Sequence, residues 1–413
     1  MHLKNAMLSS ILCNMIIWYE LTLFGVSAPI ISSTFFPLEN ATSRFLNTFA
    51  IGFIFRPLGA FIFGYMGDKY GRRRVLLTSV TLASVSSTAI GIIPDFRTIG
   101  ILSPILLLSC RIIQGMAAGG ETSINSTFLI EHSSTKKNIG FLGSMKAFSG
   151  ALGSIVCFIL IYICKKFTGE NYEIWGWRLL FYFCFVMGVI GFLTRYIMSE
   201  SLAYKIHSKH NNYPFWELIK HYKRPFAISV GAGIAQNAIV YSAIMFYNVS
   251  IAELIFSGID IKNTVRLLAD ILFGISAVLF AALSDKYGRK NIMVIILITL
   301  ACASLAMLSL LSSSNSNTII LTYLLLTIPI AASFGIYNSL TCELFPTKVR
   351  CIGFSLANNI SAGIFGGISP SICRLLVEKT GNNLVAGIYL VICVLMSLIS
   401  VLYIRVQDKK VDW

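Results

Sequence analysis

An all-α polytopic membrane protein, with twelve transmembrane helices in two parallel-related six-helix bundles, is the fold class this sequence predicts. Three observations predict it. The chain of 413 residues is 56% hydrophobic and only 12% charged, with a mean hydropathy of +0.76, whereas a soluble protein carries about twice that charged fraction. Long continuous apolar runs recur from end to end, the signature of spanning helices rather than of the short alternating strands of a barrel. Finally, "GDKYGRRR" at 67–74 returns as "SDKYGRK" at 284–290, with Phe63, Gly64 and Met66 facing Phe280, Ala281 and Leu283 at the same offset.

Read between polar breaks, the runs place spans at 7–32, 45–66, 75–94, 101–125, 139–164 and 175–198. A second set falls at 226–250, 265–284, 291–312, 318–341, 350–373 and 384–406. The polar stretch 199–225, with Lys205, Lys209, Lys220, Lys223 and Arg224, divides a bundle at 1–198 from one at 226–413. The first apolar run is too long for a signal peptide and is expected to stay as the first helix.

The net charge of +15 is a matter of orientation rather than of nucleic-acid binding. Lys and Arg outnumber on one side, that of both termini and of 199–225, those at Arg44, Arg97, Lys165, Lys166, Arg178, Lys262, Arg266, Arg374 and Lys379 on the other. By the positive-inside rule the richer side is cytoplasmic. Each Asp-Lys-Tyr-Gly-Arg then joins the second and third helix of its bundle on that side. Parallel repeats about an axis along the membrane normal are a transporter architecture.

Other classes lack their residues. The ten cysteines are scattered with no Cys-x-x-Cys, and most lie in apolar runs, where cysteine acts as a small hydrophobe. His2, His132, His207, His210 and His221 all lie outside the apolar cores, so neither a metal site nor an enzyme is expected. The expected partners are the bilayer and a small-molecule substrate, with no nucleic acid, no cofactor, and a functional monomer.

The motifs resemble the major facilitator superfamily. "GYMGDKYGRRR" and "AALSDKYGRK" are similar to its signature loops. "WYELTLFG" at 18–25, "FFP" at 35–37, "FAIGFIFRPLGAFIFGYMGDKYGRRR" at 49–74, "RIIQGMAAGGE" at 111–121, "WGWRLLFY" at 175–182 and "RYIMSES" at 195–201 resemble its metabolite:proton symporter branch. In the second half "ELFPTKVRCIGFSLANN" at 343–359 carries the resemblance. It implies a proton-coupled importer in a bacterial inner membrane, for proline or glycine betaine ahead of 2-oxoglutarate, citrate or shikimate. The proline/betaine carriers of the branch carry a C-terminal coiled coil. No heptads follow the last helix here, so osmotic regulation by such a tail is not expected. A transporter-derived nutrient sensor, the reading from another class, would need an appended signalling domain.

Charges inside the membrane are costly and mark function by default: Glu20, Arg56, Arg111, Glu121, Lys146 and Asp270. Glu20 lies roughly 20 Å into its helix and Arg111 roughly 15 Å into one of opposite direction, so both fall near mid-depth. At one depth they can pair. The family's usual Trp-Tyr-Asp stands here as Trp18-Tyr19-Glu20, and the resemblance implies that Glu20, with Arg111 of the R-x-x-Q-G stretch, couples the proton. A purely structural pair is the other reading. Arg56 suits either an anionic substrate group or helix packing, and Glu121 a partner among the loop cations.

In the repeated loops Asp68 and Asp285 can accept from amides at a nearby helix start, Gly71 and Gly288 permit a tight turn, and Arg72 and Arg289 can bridge to acids. The resemblance implies a gating latch; a charge anchor is the alternative. Pocket candidates are Trp18 and Tyr19, suited to a cationic head group, together with Gln114, Gln236, Asn237, Tyr241, Asn338 and Asn358.

Overall fold

The computed structural model describes residues 2–37, 41–133, 138–207, 214–243, 259–311 and 315–405. These are helices and short connections, with no strand among the described residues. The first six spans are α1 (His2–Val26), α2 in two segments (Ala41–Ile54 and Arg56–Tyr70), α3 (Arg72–Ile92), α4 (Leu102–Glu131), α5 (Ile139–Thr168) and α6 (Gly176–Ile197). The second six are α7 (Lys223–Ala243), α8 (Ile259–Tyr287), α9 (Arg289–Leu311), α10 (Ser316–Cys342), α11 (Arg350–Thr380) and α12 (Asn383–Leu402). Among the described residues, eleven helices are long and apolar enough to cross a membrane; α9 covers positions 291–311 of the apolar run expected at 291–312, and 312 lies outside the described residues.

The breaks in these helices follow from their residues. The second segment of α2 starts with Pro57 in its first turn, where a missing N–H costs nothing. α11 loosens into a π-turn over Ser361–Gly366. The α2–α3 and α8–α9 connections turn on Gly71 at φ +104° and Gly288 at φ +94°, a region that residues with a Cβ rarely enter.

Some boundaries differ from the sequence reading. α4 runs on to Glu131, and α7 starts at Lys223, inside the expected loop. Positions 244–250 of the expected seventh span lie outside the described residues. The stretch between the bundles holds two short helices, Leu202–His207 and Pro214–His221. The second docks by burying Leu218, by an edge contact of Phe215 on Phe61 at 5.1 Å, and by pairing Glu217 with Lys348.

One core packs Ile16, Tyr19, Phe24, Trp177 and Phe181 in the first bundle, and another packs Ile336, Tyr337, Phe345 and Phe354 in the second. Phe167, Ile197 and Tyr162 instead stand on the outer faces of α5 and α6 and are mostly exposed, as lipid-facing side chains are. The bundles meet mainly where α2 crosses α11 and α5 crosses α8, with α4–α11 and α5–α10 beside them. The end that carries the two repeated loops is called the basic end below.

Candidate functional site

Glycine sets the geometry of the central site, because α2 and α4 touch backbone to backbone. A Cβ on Gly115 would lie 2.1 Å from the Gly52 carbonyl oxygen, and one on Gly119 would lie 2.1 Å from that of Arg56. Only glycine fits, which agrees with the role of small residues in membrane helix packing. A Cβ on Gly52 would also stand 2.8 Å from the Arg111 guanidinium. Beside this contact lies a cavity of about 20 Å³ lined by Glu20, Phe53, Arg56, Arg111 and Gln114 among others, room for about one water molecule.

The expected direct Glu20–Arg111 pair is not formed. Ser87 Oγ on α3 donates to Glu20, Gln114 Nε2 donates to Ser87 Oγ at 2.7 Å, and Arg111 Nη1 donates to Gln114 Oε1 at 2.8 Å. The physical reason is aromatic. The guanidinium lies over Phe24 at 4.1 Å and near Phe49 at 5.4 Å, a stacking that arginine favours, and this holds it apart from the acid, with Gln114 and Ser87 between them. Arg56 sits 5.1 Å from the Phe53 ring. Both arginines are buried, and the Nε of each has no hydrogen-bond partner. Among the described residues neither forms an ion pair.

The remaining intramembrane charges have other partners. Glu121 pairs with Arg195 of α6 rather than with a loop cation, and it accepts from Ser79 Oγ at 2.5 Å; Arg195 also donates to Asn125 Oδ1 at 3.0 Å. Arg195 was passed over in the sequence because it sits in the last turn of its apolar run. Asp270 on α8 accepts from Ser154 Oγ of α5 at 2.6 Å and pairs with Arg266 at 3.5 Å. Lys146 donates to Asn338 Oδ1 at 3.2 Å, across the bundle boundary.

The pocket candidates divide. Gln114 and Arg56 line the cavity. Tyr19 does not: it is fully buried in the first-bundle core, donating to the Leu180 carbonyl at 2.9 Å. Neighbouring residues on a helix point about 100° apart, so Tyr19 turns away where Glu20 turns in. Trp18 packs on Gly150 and Gly153 of α5, with its indole N–H unpartnered. Asn237 donates to Gly233 O and to Ser361 Oγ at 3.1 Å beside the π-turn, and Tyr241 meets Phe53 edge-on at 5.9 Å. Asn338 also donates to Gly143 O and Phe334 O, and Asn358 donates to Ser123 Oγ at 3.3 Å. Gln236 is buried with both carboxamide atoms unpartnered.

At the basic end the repeated acids cap helices of the opposite bundle rather than of their own. Asp68 accepts from the amides of Cys351 and Ile352, at 3.1 and 2.9 Å, at the start of α11. Asp285 accepts from Gly140 and Phe141, at 2.8 and 2.9 Å, at the start of α5. Such charge-assisted caps are stronger than neutral hydrogen bonds. Arg72 pairs with Asp68 at 3.3 Å and with Glu131 at 3.1 Å, and it donates to the Thr347 carbonyl at 2.6 Å. Arg350 pairs with Glu131 from the other side at 2.9 Å. In the second copy Arg289 joins Asp285 and Glu343, and Glu343 Oε2 has no partner. Sequence reasoning missed Glu131 and Arg350, which close the first copy.

A sequence profile of the Major Facilitator Superfamily matches residues 5–370 and 271–412. The Proline/betaine transporter of Escherichia coli (strain K12) is 29% identical over 416 residues, covering 96% of this chain and 82% of that protein. The Glycine betaine/proline/ectoine/pipecolic acid transporter OusA of Dickeya dadantii (strain 3937) is 28% identical, covering 99% of this chain and 84% of that protein. Among solved structures, the proton:xylose symporter XylE bound to 6-bromo-6-deoxy-D-glucose superposes with a TM-score of 0.77 at 17% identity, covering 97% of this chain and 95% of that one.

Proposed function

The chain belongs to the Major Facilitator Superfamily, and from that premise we propose that it is a proton-coupled symporter importing a small metabolite, with proline or glycine betaine favoured. Its curated relatives are named for those solutes. The observation that carries the reading is the buried line Glu20–Ser87–Gln114–Arg111, whose Glu20, Gln114 and Arg111 line the central cavity. In this reading the basic end, with both termini, faces the cytoplasm of a bacterial inner membrane, and the monomer is the working unit.

The proposed chemistry follows from the donors and acceptors. Ionised Glu20 takes the Ser87 hydroxyl proton as a hydrogen bond, and Ser87 in turn accepts from Gln114. A proton on Glu20 makes that acid the donor, and Ser87 can turn its own proton wholly to the Ala83 carbonyl, 2.8 Å away. The negative charge facing Arg111 is then gone, and the guanidinium is free to take the carboxylate of a substrate. Phe53, which lines the cavity and is backed edge-on by the half-buried Tyr241, marks the side where an apolar or cationic part would lie.

Arg56 and Arg111 share one cavity without an acid partner, an arrangement that also favours a second reading, an organic dianion such as 2-oxoglutarate or citrate. Uptake of labelled proline, glycine betaine, 2-oxoglutarate, citrate and shikimate into proteoliposomes, with and without a pH gradient, separates the two. Uptake of any of them that ignores the gradient sinks proton coupling.

A further inference from the structure

A closely packed polar cluster, with no room for a water molecule, brings Ser10, Asn125, Ser126 and Lys146 together between the central cavity and the basic end. Ser10 precedes Glu20 by about 15 Å along α1, and Asn125 follows Arg111 by about 21 Å along α4. The polar cluster therefore stands below the central cavity along the direction of transport.

Its polar atoms are incompletely matched. Lys146 presents an ammonium with three donors. Its contacts are one hydrogen bond to Asn338 Oδ1 at 3.2 Å and the Phe354 ring at 5.6 Å; among the described residues no carboxylate pairs with it. Ser10, only 3% exposed, has no partner for its Oγ, and neither does Asn14 Oδ1 one turn further along α1. Asn14 holds the Lys146 backbone in place by donating to its carbonyl at 2.9 Å. Both groups that now occupy the ammonium, Asn338 on α10 and Phe354 on α11, belong to the second bundle. The atoms left unpartnered, Ser10 Oγ and Asn14 Oδ1, belong to the first. Parting the bundles at the basic end strips Lys146 of its present contacts and leaves the ammonium, with the Ser10 hydroxyl in the same cluster, open to a ligand arriving from the path.

We propose that Lys146 is a second, carboxylate-binding position on the cytoplasmic side of the path, which receives the cargo's carboxylate after it leaves Arg111 and before release. The proposal rests on the carboxylate-bearing cargo inferred above. In the closed arrangement Asn338 fills the site in the cargo's place. When α10 withdraws, the Lys146 ammonium and the Ser10 hydroxyl supply donors to the two oxygens.

The test is the half-saturating concentration for exchange, measured from each face in vesicles of both orientations. The solute is whichever of proline, glycine betaine, 2-oxoglutarate, citrate and shikimate the unsubstituted chain carries. Lys146→Gln should raise the value at the basic face by about tenfold, as loss of a charge-assisted hydrogen bond does, and leave the opposite face unchanged. Lys146→Arg should restore it. Asn338→Ala, which removes the competing acceptor, should tighten the basic face by about threefold. Equal shifts at both faces, or no shift at the basic face, overturn the site while leaving the transporter reading intact. If Lys146→Gln does not reach the membrane, an unchanged basic-face value in Asn338→Ala overturns it alone. An unsubstituted chain that exchanges none of the five overturns the function and the site together.

Discussion

Glu20 and Arg111 share a cavity without touching, with Ser87 and Gln114 standing between them. The coupling of acid to cation is therefore a property of two neutral side chains. A change in either should be felt at both ends.

Ser87→Ala keeps the size of the site but removes the middle of that line. Exchange of substrate should persist, because the loaded carrier still reorients. The number of protons carried per solute should fall, and gradient-driven uptake should drop by about tenfold, the loss of one buried hydrogen bond to a charge. Parallel measurement of solute and proton fluxes checks this; an unchanged ratio means that Ser87 only packs.

Glu20→Gln imitates a permanently protonated acid. Exchange with solute on both sides should continue, while uphill accumulation under a pH gradient should vanish. Arg111→Ala should lose both, because it empties the cavity of the cation that Phe24 and Phe49 hold. Accumulation by Glu20→Gln equal to that of the unsubstituted chain would move the proton to another acid, with Glu121 and Asp270 next in order.

Asp68→Asn and Asp285→Asn each weaken a helix cap across the bundle boundary. Cys351 reports on the first directly, since its amide is one of those capped and its side chain is fully buried. Alkylation of Cys351 by a soluble maleimide should speed up by about tenfold in Asp68→Asn, in line with about 1–3 kcal/mol per charged hydrogen bond lost. An unaltered rate would leave the loops as anchors in the membrane surface.

Gly71→Ala and Gly288→Ala both force a Cβ into left-handed backbone, costing about 1–2 kcal/mol. They should not be equal. A Cβ on Gly71 also meets the Glu200 carboxylate at 2.4 Å, whereas the nearest atom to one on Gly288 is Asn291 Nδ2 at 3.5 Å. Melting in detergent should show the larger fall in Tm for Gly71→Ala, and equal falls would mean that Glu200 moves aside freely.

The helices and the repeated turn were legible because apolar runs and a duplicated pentapeptide are local signals. The depths of Glu20 and Arg111 followed from the rise of a helix, and both residues do line one cavity. What stands between them was not legible, since Ser87 is a common residue on a third helix. The capping by Asp68 was misplaced for a similar reason. A carboxylate among glycines announces a helix start, but its partner amides lie 283 and 284 positions away in sequence. Tyr19, named as an aromatic suited to a cationic head group, turns into the core instead, since neighbours on a helix point about 100° apart. Glu131 and Arg350 looked like ordinary charges at helix ends, and only the meeting of the two bundles makes them partners.

The crossed caps at the basic end also bear on reversibility. When the bundles separate there, four backbone amides and two carboxylates pass from each other to water, which hydrogen-bonds both well. The net loss per bond is then about 1.5–3 kcal/mol, the range for a charged acceptor, well below the strength of each contact while it excludes water. An apolar seal would instead expose greasy surface on every opening, at about 25 cal/mol for each Å², with no compensating hydration. Joining the halves through acid and amide gives a seam that holds firmly when dry and parts at modest cost when wetted, and both bundles carry one half of each fastening.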